Sequence, residues 1–209
     1  AAPIMAYLRH FHNLGAQTLV PTAELAEQLQ AIGFQHMQVL ARGVDTSLFS
    51  PQRRAPALRE HWGVAPHSPA VLYVGRLAAE KNLELAVTAF QAIRLVRPDA
   101  RLILVGDGPM TPRLRARHSG FVYCGMRHGL DLAAHYASAD LFLFPSLTET
   151  FGNVVLEAMA SGLPIVAFDY AAARAHVESG HIGLLAPFGD ADAFVAAATA
   201  AVRDLGTLT

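Results

Sequence analysis

The sequence predicts an α/β fold built on a doubly wound parallel sheet, and three observations carry that prediction. Short continuous apolar runs recur along the chain, amphipathic stretches separate them, and glycine- or proline-containing turns follow most of the runs. Apolar runs without polar alternation suit strands buried on both faces. Such strands belong to βαβ units whose helices cover both sides of a sheet. Predicted strands lie at 18–21, 37–41, 70–75, 101–106, 121–125, 141–145 and 164–168. Helical periodicity is plainest in NLELAVTAFQAIRLV (82–96) and ADAFVAAATAAV (191–202).

The strongest break in the pattern is ARGVDTSLFSPQRRAP, residues 41–56, which has turn residues and prolines but no sustained period. It divides the chain into residues 1–50, one strand–helix–strand unit too small for a core of its own, and residues 51–209. Five predicted strands follow in about 150 residues, a normal domain length. A chain that is 53% hydrophobic and 16% charged fits a sheet covered on both faces. With 16 Lys and Arg against 17 Asp and Glu, net charge -1, nothing favours nucleic acid as a partner. The arginines of PRLRARH (112–118) alternate, so on a helix they scatter and form no stripe. A single cysteine, Cys124, excludes an internal disulfide and suggests a reducing compartment. No apolar run reaches the roughly 18 residues that cross a bilayer. The expected location is cytoplasmic.

Ligands of open parallel sheets bind beyond the carboxyl ends of the strands, and four unusual stretches fall at such ends. They are GRLAAEKN (75–82), GDGP (106–109), GMRHG (125–129) and PSLTETFGN (145–153). In the last, a helix is expected to start near Gly152, with unpaired N–H groups that suit a phosphate and a glycine that lets it approach. Glu149 stays in the loop and Glu157 falls in the second helical turn, eight residues on, about 12 Å if all helical. A carboxylate accepts two hydrogen bonds at once, which suits neighbouring sugar hydroxyls. Two acids flanking an anion site therefore match a nucleotide sugar. The alternative, in which Glu149 caps the helix and Glu157 is an ordinary exposed residue, stays open on these residues alone. Arg76 and Lys81, at the same sheet edge, suit a pyrophosphate and would stabilise a departing diphosphate. GDGP reads first as a tight turn. Asp190 and Asp192 form an Asp-x-Asp pattern, but their place at a helix start favours N-capping over a metal site. No H-E-x-x-H, Walker motif or G-x-G-x-x-G after a strand occurs, so neither a zinc site nor a dinucleotide cofactor is expected.

Taken in order, GRLAAEKN, LVGDGP, ASADLFLFPSLTETFGNVVLEAMASGLPIVA and GLLAPFGD resemble the donor-binding half of retaining glycosyltransferases of the GT-B fold, the family 4 group. The resemblance implies a Rossmann-like donor domain over 51–209. Residues 1–50 would be the end of an acceptor domain and the crossover from it. It implies that Arg76 and Lys81 grip the donor diphosphate beside Gly75, that Glu149 holds hydroxyls of the transferred sugar, and that Glu157 holds the ribose. Phe151, Gly152, Asn153 and Val154 would supply the loop and helix start, and Met126 and Arg127 would border the base. The implied reaction moves a hexose from a UDP- or GDP-sugar, GDP-mannose among them, with retention and without a metal or other cofactor. A glycolipid or glycan is the implied acceptor, with peripheral contact at the inner face of a membrane if it is a lipid. Most of the acceptor domain, with its glycine-rich loop and a histidine, is not in the chain, so this part alone is expected to bind donor without turnover.

Two departures stand out: Arg42 where many relatives have Asn, and Ala175 where many have Glu. Competing readings are a sugar-nucleotide epimerase or phosphorylase of similar architecture, and a non-catalytic nucleotide-sugar-binding module. A glycosidase is disfavoured because its two carboxyl groups must face each other across about 5–9.5 Å, and here a helix start intervenes.

Overall fold

The computed structural model describes residues 2–40, 43–148, 152–177 and 182–205. The chain forms two compact units that divide between Gly43 and Val44. The first holds α1 (Ala2–Asn13), β1 (Thr18–Val20), α2 (Ala23–Ala31) and β2 (Met37–Val39), with β1 and β2 paired in parallel. Thr22 starts α2 because its hydroxyl accepts from the Leu25 N–H at 3.2 Å, satisfying a donor that the helix itself cannot.

The second unit runs through α3 (Pro56–His61), β3 (Ala70–Val74), α4 (Leu83–Val96), β4 (Arg101–Val105), α5 (Thr111–Arg117) and β5 (Val122–Gly125). It continues through α6 (Gly129–Ser138), β6 (Leu141–Phe144), α7 (Asn153–Ala160), β7 (Ile165–Phe168), α8 (Ala171–His176), β8 (Gly183–Ala186) and α9 (Ala191–Arg203). The six strands pair in parallel in the order β5-β4-β3-β6-β7-β8. The chain enters at the centre on β3, winds outward through β4 and β5, then returns to β6 on the other side of β3. The winding direction therefore reverses between β3 and β6, which makes their carboxyl ends the switch point where open α/β sheets take ligands.

Strand periodicity builds a core on each face. Val71 and Tyr73 of β3, Leu102 and Leu104 of β4, and Leu141 and Leu143 of β6 join Phe90 and Ile93 of α4 and Phe194 and Ala198 of α9. Their neighbours Ala70, Leu72, Val74, Ile103, Val105, Phe142 and Phe144 face the other way, onto Trp62, Tyr136 of α6 and Val155 of α7. This is the doubly wound, doubly covered sheet that the apolar runs predict.

Two details differ from the sequence reading. Residues 44–50, assigned there to the first part, belong to the second unit. Phe49 is 7% exposed and meets the Tyr136 ring edge-on, centroids 5.8 Å apart, so this aperiodic stretch is tied down by single apolar anchors. The sheet also has a sixth strand, β8, which opens on a glycine and spans only four residues. That glycine looks like a breaker in sequence, yet a Cβ there would collide with the Ile165 carbonyl of the adjacent strand.

The amino-terminal edge of the sheet is fastened by Asp140. Its Oδ1 accepts from Arg54 at 2.7 Å, and its Oδ2 from Arg59 and from the Ala70 N–H, both at 2.8 Å. Arg59, 7% exposed, also donates to the carbonyls of Ser138 (2.7 Å) and Ser68 (2.9 Å). Removing one member of a buried pair leaves an uncompensated charge, so Asp140→Ala should lower the unfolding free energy by about 3 kcal/mol. Arg54, with its side chain 44% exposed, also donates to the Ala137 and Ala139 carbonyls, so Arg54→Ala should cost about 1–2 kcal/mol, less than Asp140→Ala. Urea titrations of both variants would measure the difference as a shift in midpoint at constant slope.

Candidate functional site

The site is built by loops that leave the carboxyl ends of β3, β4, β5 and β6. The first two are stitched together by backbone bonds, Gly75 N–H to Val105 O and Leu77 N–H to Asp107 O at 3.0 Å, and Met110 N–H to Leu77 O at 2.9 Å. A Cβ at Gly106 would collide with the Gly75 carbonyl, and one at Gly108 with the Leu77 carbonyl. The GDGP stretch is therefore a close-approach element that holds the β3 loop in place, as its turn reading anticipates. Asp107 completes it by accepting from Thr111 Oγ1 (2.6 Å) and its neighbour's N–H (2.7 Å), which hold its carboxyl below the usual range.

Across the switch point the β3 loop is tied to the β6 loop. Lys81 Nζ donates to the Thr148 carbonyl at 3.0 Å, and Asn82 Nδ2 to the Pro145 carbonyl at 3.2 Å. Thr148 Oγ1 reaches back to the Glu80 carbonyl at 3.4 Å, and buried Ser146 donates to Thr148 O at 3.0 Å. Asn82 makes the turn into α4 with a left-handed φ of 54°, a conformation that asparagine tolerates better than most residues. Sequence reading gave no role to Asn82. Its position before an amphipathic run was the available signal.

Arg76 lies on the same loop and turns to Glu80. Its Nη1 stands 3.4 Å from Glu80 Oε1, and the side chain is 66% exposed. It lines a pocket of about 330 Å³ with Val74, Gly75, Val105, Met126 and Arg127. Met126 is exposed at the rim. Arg127 is held along the wall by Nε to Cys124 O and Nη1 to Asp131 Oδ2, both 2.9 Å. Gly75, Arg76, Met126 and Arg127 thus gather at one pocket, with Lys81 on the same loop turned toward β6.

Gly152 caps α7 with φ 65°, and Asn153 and Val154 open the helix as expected. The buried Asn153 Oδ1 has no hydrogen-bond partner among the described residues. Val154 packs partly into the core. Glu149 and Phe151 lie outside the described residues.

Glu157 is not the exposed residue of the simpler reading. It is half-buried, and its Oε2 accepts from the Tyr136 hydroxyl at 2.9 Å. Burial pushes the Glu157 carboxyl above the usual range, and the Tyr136 donor partly offsets this. Burial, then the Glu157 charge, hold the phenol well above its ordinary value. Sequence reading missed Tyr136. A tyrosine among apolar helix positions needs a partner for its hydroxyl when buried, and that was the signal.

Asp190 is the N-cap of α9, accepting from the Ala193 N–H at 2.9 Å. Among the described residues no group of three His, Cys, Asp or Glu side chains could hold a metal ion, and no helix is long and apolar enough to cross a membrane.

Comparison with known proteins agrees with this architecture. The family model described as "Glycosyl transferases group 1" matches residues 68–204. A GDP-mannose-dependent alpha-mannosyltransferase of Mycobacterium tuberculosis is 40% identical over 185 residues, 88% of this chain and 47% of its own length. The sulfoquinovosyl transferase SQD2 of Arabidopsis thaliana is 37% identical over 171 residues, 79% of this chain and 33% of its own. The chain thus spans half or less of these relatives' length. Anabaena HepE in complex with UDP and glucose superposes with a TM-score of 0.79 at 22% identity, covering 97% of this chain and 58% of that one. Sucrose-phosphate synthase from Thermosynechococcus elongatus gives 0.81 at 23%, covering 99% and 54%. With the family model matching most of the second unit and a relative 40% identical over 88% of the chain, the chain belongs to the group 1 glycosyl transferases, on the GT-B fold.

Proposed function

We propose that the chain is the nucleotide-sugar-binding part of a retaining hexosyltransferase that takes its sugar from a GDP- or UDP-sugar, with GDP-mannose the first candidate. The observation that supports this reading is the tie between the β3 and β6 loops, Lys81 Nζ to Thr148 O, which holds a cation on the loop that leads toward α7 at the switch point. A diphosphate there would meet the unpaired N–H groups and dipole of α7 and the charges of Arg76 and Lys81. When the anomeric carbon–oxygen bond breaks, negative charge grows on the departing diphosphate, and fixed positive groups stabilise it most at that moment. These two side chains would do the work without a metal.

The pocket beside Arg76 supports a place for the base, bordered by Met126 and Arg127. Glu157 would accept from the ribose hydroxyls, and Glu149 from those of the sugar. GDP-mannose is favoured because the 40%-identical relatives from two mycobacterial species are named for it, while UDP stays open because HepE was solved with UDP and glucose. Transfer would need a further domain carrying the acceptor site, on the cytoplasmic side and at a membrane surface if the acceptor is a lipid. An epimerase, a phosphorylase or a pure binding module would share the pocket but lack transfer by the longer protein.

Calorimetry with GDP, UDP and ADP, then with their sugars, tests the reading. Lys81→Ala is expected to weaken nucleoside diphosphate binding about 10-fold or more, the scale of a lost charged hydrogen bond. Glu149→Gln should leave the diphosphate unaffected and weaken only the intact sugar nucleotide. Equal losses for both ligands in the two variants would remove the assigned roles.

The same reading makes Glu157 a burden on the fold. Its folded carboxyl titrates above its unfolded value, so in that window the unfolded chain holds fewer protons and stability falls as pH rises. Glu157→Gln should flatten that fall, between the ordinary 4.5 and the raised folded value, and be at least as stable as the parent at neutral pH. Thermal unfolding across pH 4–8 would show a parallel fall in both proteins if Glu157 were uninvolved.

A further inference from the structure

We infer that Tyr136 is a positioning residue for the nucleotide site: its phenol, locked in the core, aims the Glu157 carboxylate at the ribose hydroxyls of the bound nucleotide. The inference rests on the ribose role proposed for Glu157.

Tyr136 is fully buried, and its ring is wedged between two others. Phe49 lies 5.8 Å away at 77° and Phe142 5.8 Å away at 67°, edge-to-face contacts that fix the ring's orientation. The hydroxyl therefore leaves the core in one direction, across the interface between α6 and α7, and its single proton goes to Glu157 Oε2 at 2.9 Å. The terminal torsion of a glutamate is otherwise broad. Anchoring Oε2 selects one orientation and sets Oε1 at a defined place. An ionised carboxylate has about four lone-pair sites, so one phenol and two vicinal hydroxyls can share it.

The charged side chains described on the neighbouring helices have partners of their own. On α6, Asp131 pairs with Arg127 at 2.9 Å and lies 3.4 Å from the buried His135 Nδ1. Beside α8, Arg174 pairs with Asp169 at 3.0 Å. Among the described residues, the polar side chain that meets the Glu157 carboxylate is Tyr136. A half-buried carboxylate with one fixed donor is poised for further donors, whereas a purely structural tyrosine could have used a backbone carbonyl.

The test compares GDP and UDP with their 2′,3′-dideoxy forms by calorimetry on the full chain. The parent protein should prefer the ribonucleotide, and Glu157→Gln should abolish the preference. Tyr136→Phe should lose about 10-fold in ribonucleotide affinity, leave the dideoxy form unchanged, and move the pH midpoint of binding upward, because the carboxylate loses the donor that favours its ionised form. Replacing Tyr136 by 3-fluorotyrosine keeps the ring's shape and strengthens the donor, so the midpoint should move downward. If the parent shows no ribose preference, or Glu157→Gln retains it, the ribose role falls and the inference with it. If Glu157→Gln abolishes the preference while Tyr136→Phe preserves it, or if neither tyrosine replacement moves the midpoint, only the positioning role is overturned.

Discussion

The constraint on which the rest depends is the complete enclosure of β3. All five of its residues are buried, it is hydrogen-bonded to β4 on one side and β6 on the other, and helices cover both faces. A polar group anywhere along that strand would have to be satisfied in a dry interior, so chemistry is pushed to the strand's ends. The two ends are not equivalent. At the carboxyl end the chain leaves β3 toward β4 and leaves β6 toward β7, in opposite directions, so the two loops separate there. The ties from Lys81 and Asn82 to the β6 loop span that separation and fix its width.

The packing of α6 against α7 accounts for the unusual state of Glu157. α7 buries Val155 and Ala158 against the sheet, while Glu157, about 200° around the helix from Val155, is enclosed on another side, where α7 meets α6 and Tyr136. The fold accepts a carboxyl whose titration is pushed upward because Tyr136 supplies a donor from inside the core. A glutamine would satisfy the same phenol without the desolvated charge. The Tyr136 contact alone therefore does not account for an acid at this position.

Much of the fold was legible because its signal is periodic. Uninterrupted apolar runs marked seven strands, and each has a counterpart in the structure. β8 escaped because four residues opening on glycine carry too little periodicity, and the reason for that glycine, contact with the Ile165 carbonyl, lies in a neighbour 18 positions away. Residues 44–50 cluster with the second unit for a related reason: Phe49 is buried by long-range contact and no local pattern announces it. At the site, the loops and the start of α7 could be located from turn chemistry. The partnership of Tyr136 with Glu157 could not, since it joins two helices 21 residues apart, and spacing within either helix says nothing about it. The arginines of α5 scatter only in part, since two of them, four positions apart, share one face. Arg113 and Arg117 turn to Glu84, while Arg115 lies over the Tyr123 ring at 4.5 Å.

The arginines at the two edges of the sheet differ in what they already hold. At the amino-terminal edge Arg54 and Arg59 surround a pocket of about 350 Å³, larger than the one beside Arg76. Both, however, are spent on the protein. Arg54 donates to two backbone carbonyls and to Asp140, and Arg59 to two carbonyls and the same aspartate, all within 3.1 Å. An anion there would have to displace a carboxylate already held in place and leave buried carbonyls unpaired, which costs more than a solvent-facing contact returns. At the carboxyl edge Arg76 makes one long contact of 3.4 Å to an exposed glutamate on its own loop. Exchanging that for a diphosphate loses little, because such exposed pairs contribute about 1 kcal/mol or less. The size of a cavity therefore misleads here, and what its cations would have to give up identifies the edge that can take an anionic ligand.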